Sequence, residues 1–300
     1  MRLGFSGSLT VLMSLLFAGL AGAQIEELFF LDPDGYPQPI QEEEDILFFL
    51  RTAKETGSKA LDQGITKARR LDLEQDGIKT RAVFHHIQRS DRKVKQLDDG
   101  RVRGYLRDSY TSQIAAYEIG RMLEILNIPP TVRRRSEGIN GSAQLWIEKA
   151  MTEIERQEKG IEPPDQTLWN QLYADMRVFD NLINNIDRNQ GNMLVDSQGH
   201  LWLIDHTRSF GQDKTIPYPA MITRCSNRLY EALKALDEEQ VQKRMKSQKL
   251  LAPGEIKALF RRRTELLEKI DDRIRERGRE VVLFDYGDLE PGIEVAEQVE

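Results

Sequence analysis

Two halves of unlike character predict an α+β chain in two lobes. Between residues 58 and 150, short runs of alternating apolar and polar residues are broken by turn signals such as "QDG" and "EGING". Beyond Pro163-Pro164, apolar residues recur instead at helical spacing as far as Gly278. A third feature lies near the seam. The stretch "NNIDRNQGNMLVDSQGHLWLIDHTRSF", Asn184 to Phe210, sets Asp187, Asn192 and Asp205 around two short apolar runs.

Hydrophobic residues make up 39% of the 300, enough for a real core, which excludes wholesale disorder. A net charge of −6 argues against binding nucleic acid through overall positive charge. The basic runs Arg133 to Arg135 and Arg261 to Arg263 are each flanked by Glu and read as solvated faces. Cys225 is the only cysteine, so neither an intrachain disulfide nor a Cys-rich zinc site is available.

In chain order, "MRLGFSGSLTVLMSLLFAGLAGAQ" reads as an export signal: Arg2, an apolar segment from Leu9 to Leu20, and a small-residue cleavage site at Ala21 to Ala23. The apolar segment falls short of the ~20 residues that span a bilayer. The expectation is therefore a periplasmic or secreted protein with no stable membrane span after cleavage, the alternative being an uncleaved N-terminal anchor. Residues 24–57 read as an extension: an irregular lead-in, then one helix over "EEEDILFFLRTAKETG", with acids in its first turn and Gly57 beyond its end. "GITKARRLDLEQDGIKTRAVFHHIQRSD" reads as a hairpin or meander around "QDG". "SYTSQIAAYEIGRMLEILNIPP" gives a helix with Ala115, Ile119, Met122 and Leu126 on one face, stopped by a proline pair. "TVRRRSEGINGSAQLWIE" suggests a further strand pair. In residues 151–280, Leu168, Leu172, Met176, Phe179 and Ile183 mark a long helix, and amphipathic helices follow to Gly278. Residues 281–300 read as a polar tail.

In the quoted stretch, Asp187 and Asn192 are five apart across a loop, and "MLV" and "LWLI" pair as a hairpin through "DSQG". Such a hairpin returns Asp205 to the end of the strand beside Asn192, with Asp187 at the loop mouth. Asp and Asn oxygens suit Mg²⁺, which keeps several waters and shares its octahedron with phosphate oxygens. A separate carboxylate can accept the proton of an attacking hydroxyl. The spacing D-x-x-x-x-N followed by a later Asp is the arrangement protein kinases use.

At these residues the chain resembles the atypical branch of the protein-kinase-like superfamily: phosphatidylinositol kinases, HipA-type bacterial kinases and the secreted four-jointed and Golgi casein kinase group. "IAAYEIGRMLEILNIPPTV" and "GSAQLWIEKAM" are similar to that group's small-lobe helix and inter-lobe strand. The resemblance implies a small, mainly β lobe with one key helix over residues 58–150 and a larger helical lobe over 151–280. It also implies ATP with Mg²⁺ or Mn²⁺, Asp187 as base and Asn192 and Asp205 as metal ligands. Arg188 would steady the loop or lie near phosphate, and Gln144, Leu145, Trp146, Ile147 and Glu148 would run past the adenine.

Two departures bear on activity. Where such kinases place a phosphate-binding strand Lys this chain has His85, with His86 the alternative register, and the paired helix Glu is replaced by Gln113. Lys79, on the same strand face as His85, and Glu118 are the candidate substitutes. Zinc is the weaker reading of the histidines, since neighbours on a strand point to opposite faces. His206 is expected to orient the loop, and His200 to be exposed at a turn. Three classes follow in order: an exported kinase acting on an unknown hydroxyl acceptor of a protein, lipid or small molecule; a pseudokinase serving as a nucleotide-binding or regulatory module; and a metal-dependent hydrolase.

Overall fold

A run of acids at Glu43, Glu44 and Asp45 suits the positive end of a helix, and α1 (Glu43–Thr52) begins there. The structure, a computed structural model, describes residues 30–61, 68–91, 95–96, 102–103 and 106–287. The expected export signal, Gly64 in the first expected hairpin, and residues 288–300 of the expected tail lie outside them. α1 ends at Thr52 instead of running on to Gly57, because Ala53 turns to extended backbone and the next residues join the sheet as β1 (Lys54–Ala60). Strand pairing has outcompeted helix propensity there, and β1 crosses the division expected between residues 57 and 58.

β2 (Arg69–Gln75) and β3 (Ile78–His85) form the expected hairpin, whose two loop residues, Asp76 and Gly77, both have positive φ, as a tight hairpin turn requires. β4 (Gln88–Asp91), β5 (Lys95–Gln96), β6 (Val102–Arg103) and β7 (Leu106–Ser109) follow, β4 pairing with β7 and β5 with β6. Ser109 then caps α2 (Tyr110–Met122) by accepting from the Thr111 N–H. α2 stops before the proline pair, so Leu126 lies beyond it and is exposed, while Ala115 and Ile119 are buried as expected. β8 (Thr131–Ser136) and β9 (Ile139–Leu145) pair through Glu137-Gly138. Among the described residues the main sheet is antiparallel in the order β1-β2-β3-β9-β8.

α1 packs on this sheet, not outside it. Phe30, Ile46, Phe49 and Leu50 share one core with Leu71, Phe84, Val132 and Leu145. The joint is pinned by Arg134, whose guanidinium donates to the carbonyls of Leu50 at 2.7 Å and Ala53 at 2.5 Å, where α1 ends. The expectation of solvated basic runs therefore fails at two residues. Strand alternation leaves Arg133 and Arg135 facing out and Arg134 in, and helical phase buries Arg262, which donates to Leu182, Gly211 and Asp213 carbonyls.

The second lobe opens with β10 (Met151–Thr152), α3 (Glu153–Glu158) and α4 (Gln166–Ile183), then the hairpin β11 (Met193–Val195) and β12 (Leu201–Leu203). Trp169, Met176, Phe179 and Ile183 of α4 pack into one core with Ile114, Ala115 and Ile119 of α2, so α2 belongs to both lobes. β13 (Cys225–Ser226), α5 (Asn227–Ala235), α6 (Glu238–Ser247) and α7 (Pro253–Arg277) complete the helical part, with Gly278 past the end of α7. The expected polar tail is not polar where it begins. α8 (Arg279–Val282) leads into β14 (Leu283–Phe284), which pairs in parallel with β13 and buries Val282, Leu283 and Phe284. Among the described residues no helix is long and apolar enough to cross a membrane.

Replacing Arg134 with Leu leaves two inward carbonyls without their donor. The expected loss is about 2–4 kcal/mol in urea unfolding. A change within ~0.5 kcal/mol, the range of ordinary surface substitutions, would show that Arg134 does not hold the joint.

Candidate active site

Asn184 ends α4 in the left-handed conformation (φ 55°), so the chain turns sharply into the loop that carries Asp187. Asn189 shapes the next turn by accepting from the Gly191 N–H at 2.9 Å and donating to the Asp187 carbonyl at 2.8 Å. Asn192 donates its side-chain N–H to that same carbonyl at 2.9 Å. The hairpin then pairs Met193 with Leu203, and the Ile204 N–H reaches the Asn192 carbonyl at 3.2 Å. Asn192 and Asp205 therefore sit at the same open end of the β11–β12 hairpin, as the sequence predicts.

Arg188 holds this end together. Its guanidinium donates to both oxygens of Asp180 on α4, at 2.8 and 3.1 Å, and to the carbonyls of Asn192 at 2.5 Å and Ile204 at 2.9 Å. It also meets His206 Nε2 at 2.8 Å. A guanidinium only donates, so Nε2 accepts and the imidazole proton resides on Nδ1. Burial, with the Arg188 charge beside it, holds His206 well below its usual pKa and therefore neutral. Of the two roles expected of Arg188, loop support is the one its hydrogen bonds perform. His206, expected to orient the loop, is bonded through its ring to Arg188 and through its backbone N–H to Gln113.

Asp187 is half-buried, and its Oδ2 lies 3.2 Å from Arg208 Nη1. Burial raises its pKa, the Arg208 charge opposes that shift, and Asp205 reinforces it. Arg208 also faces Asp108, at 3.9 Å, so one arginine stands between two carboxylates. Neither Asp108 nor Arg208 was singled out from the sequence. Arg208 follows Asp205 by three and was legible as a cation near the motif, whereas Asp108 arrives only through the folding of β7.

Asp205 takes a positive φ of 49° and accepts the Thr207 hydroxyl at 2.8 Å through Oδ1. Its Oδ2 and the Asn192 Oδ1 make no hydrogen bond among the described residues, which leaves one charged and one neutral oxygen at the hairpin end. That pair suits Mg²⁺ or Mn²⁺ with water and phosphate oxygens completing the shell. Among the described residues no three His, Cys, Asp or Glu side chains are placed to hold a metal by themselves.

The expected nucleotide contacts divide. His85 is buried at the end of β3, its Nδ1 unpartnered among the described residues. Burial depresses its pKa, against the pull of Asp205 and Asp108. Gln113 is fully buried on α2. Its Oε1 accepts the His206 N–H at 2.6 Å, and its Nε2 has no partner among the described residues. His86 instead stacks on Phe84. Lys79 does not substitute for the missing cation: it is 60% exposed, lies beside Glu74 at 3.9 Å, and is six residues, roughly 20 Å, along the strand from His85. Glu118 does not substitute for the missing acid either, because it is held by Arg244 and Gln248 at 2.8 to 3.0 Å. In the run past the expected adenine position, Gln144 donates to Thr131, and the N–H groups of Leu145 and Trp146 bond the Pro130 and Arg81 carbonyls. Glu148 is buried against Arg81, which also lies over the Trp146 ring, while the neighbouring Ile147 is buried. His200 is partly buried against Asp196 at 3.1 Å and not exposed as expected, since the Asp196 carboxylate gathers the turn around itself.

A sequence model of the phosphatidylinositol 3- and 4-kinase family matches residues 142–261, from β9 through the hairpin into α7. Among curated proteins no sequence matches at a significant level. Solved structures are similar in fold. A hydra Fam20 structure determined with sugar aligns at a TM-score of 0.62 and 16% identity, covering 85% of this chain and 96% of its own. The Golgi casein kinase aligns at 0.56 and 15% identity, covering 82% of this chain and 79% of its own. Its Mn/ADP-bound form also aligns at 0.56 and 15% identity, covering 85% and 82%. The family match covers residues 142–261, and the solved structures, at 15–16% identity, show that the chain has the two-lobed kinase-like fold.

Proposed function

We propose that the chain is an exported phosphotransferase that moves the γ-phosphoryl group of ATP to a hydroxyl of a protein, lipid or small-molecule acceptor. The observation that carries this reading is the geometry of the hairpin end: Asn192 and Asp205 offer two uncommitted oxygens there, and Asn192 is hydrogen-bonded to the backbone of Asp187. Asp187 receives the acceptor's proton as the new O–P bond forms and the bond to the departing ADP breaks. Asn192 and Asp205 would hold Mg²⁺ or Mn²⁺, which when bound would neutralise phosphate charge. The Mn/ADP complex of the structurally similar Golgi casein kinase supports use of a divalent ion with a nucleotide. Arg208, poised between Asp187 and Asp108, supplies positive charge where the strand Lys is missing.

A second reading, a pseudokinase that binds nucleotide without turnover, is favoured by the neutral pair of His85 and Gln113 in place of Lys and Glu. Phosphate transfer from labelled ATP, to the protein itself or to supplied acceptors, separates the two. Under the enzyme reading Asp187→Asn retains nucleotide binding and slows transfer by about 10²- to 10⁴-fold. Asp205→Asn loses both binding and transfer, because one charged ligand leaves the metal shell. Equal rates for wild type and Asp187→Asn would remove Asp187 as the base. Nucleotide binding with no transfer by the wild type would favour the pseudokinase.

Export rests on residues 1–23 alone. N-terminal sequencing of protein recovered outside the cytoplasm is expected to begin at Gln24; an intact Met1 on that material would indicate an anchor.

A further inference from the structure

Strand alternation sorts the side chains of β7 to two sides of the molecule. Asp108 faces Arg208 and the cleft, whereas Arg107 and Ser109 line a cavity of about 450 Å³. Its walls are the β4–β7 pair, the start of α2 and the connection from α6 to α7. The volume falls within the range of small-molecule sites.

The charge lining this cavity is one-sided. Arg89, Lys246 and Lys249 are exposed at its rim, and none makes an ion pair with another described residue. The carboxylate in the wall, Glu255, is already neutralised by Arg107. Arg107 has its donors committed to Ser112, Thr111, Glu255 and the Leu250 carbonyl, so it shapes the wall without offering itself to a ligand. Three like charges around one concavity repel one another, and a neutral occupant would leave that repulsion in place, whereas an anion relieves it.

We propose that this cavity binds a compact, multiply charged oxyanion, a phosphate- or sulfate-bearing small molecule, at a site separate from the Asp187–Asp205 cleft. The three cations meet its charge, the exposed Ser90 hydroxyl adds a donor, and the apolar wall at Leu250 and Leu251 limits its size. The site lies one strand away from the loop after Asp205, since the Ser109 N–H bonds the Thr207 carbonyl at 3.0 Å.

The test is calorimetric titration of the full chain with inorganic pyrophosphate in the presence of a chelator, so that no divalent ion supports binding in the cleft. One saturable site is expected, displaced by sulfate but not by chloride at equal ionic strength. The double substitution Lys246→Gln, Lys249→Gln is expected to weaken binding on the order of tenfold or more, each exposed charge contributing several-fold. Lys243→Gln, on the same helix but outside the cavity wall, is expected to bind as wild type, and so is Asp205→Asn. Absence of saturable binding, equal displacement by chloride, unchanged affinity in the double variant, or loss of binding in Asp205→Asn would each overturn the proposal.

Discussion

The buried pairing of Arg188 with Asp180 is the constraint on which the candidate site depends. A charge removed from water is tolerated only when its partners are complete, and Arg188 achieves this by gathering a carboxylate from α4, two carbonyls from the hairpin ends and a ring nitrogen from His206. These partners come from three segments: α4, the residue before β11, and the stretch after β12. Satisfying one guanidinium therefore fixes the loop of Asp187, the strand after Asn192 and the residue after Asp205 relative to one helix. The side chains proposed for the chemistry need not hold themselves in place; Asn192 and Asp205 retain free oxygens because their backbones are secured elsewhere.

The same loop is tied to the small lobe through Gln113, whose amide accepts the backbone N–H of His206. A carboxylate at this position would make the same bond but would bring a full charge into a site with no exposure to water. Burial likewise lowers the pKa of His85 and favours its neutral form. Both positions thus hold neutral residues. Under the proposed reading, the burden of meeting phosphate charge would fall on Asn192 and Asp205 with their metal ion, and on Arg208.

Much of this was legible in the sequence, for local reasons. The D-x-x-x-x-N spacing, the hairpin through "DSQG" and the turn at Asp76-Gly77 depend on short-range geometry, and each forms where patterning placed it. What escaped depends on long-range packing. The end of α1 at Thr52 follows from pairing of β1 with a strand beyond residues 62–67, and Arg134 turns inward because the α1 carbonyls lie across the sheet from it. Lys79 and Glu118 looked like substitutes because strand and helix positions give direction without reach; in the fold, one is too far along β3 and the other is held by α6. Asp180 carried a signal that went unread, an acid among the apolar residues of α4, where a charge persists only if it is paired.

The most direct test of the account is whether the hairpin end forms one metal-dependent nucleotide site. Calorimetric titration of ATP into the full chain, with Mg²⁺ or Mn²⁺ and then with chelator, measures this without requiring an acceptor. With excess sulfate filling the cavity beside β7, one nucleotide per chain is expected, bound only with the divalent ion and lost in Asp205→Asn. Nucleotide binding that is indifferent to both the ion and Asp205, or no binding with either ion, would contradict it.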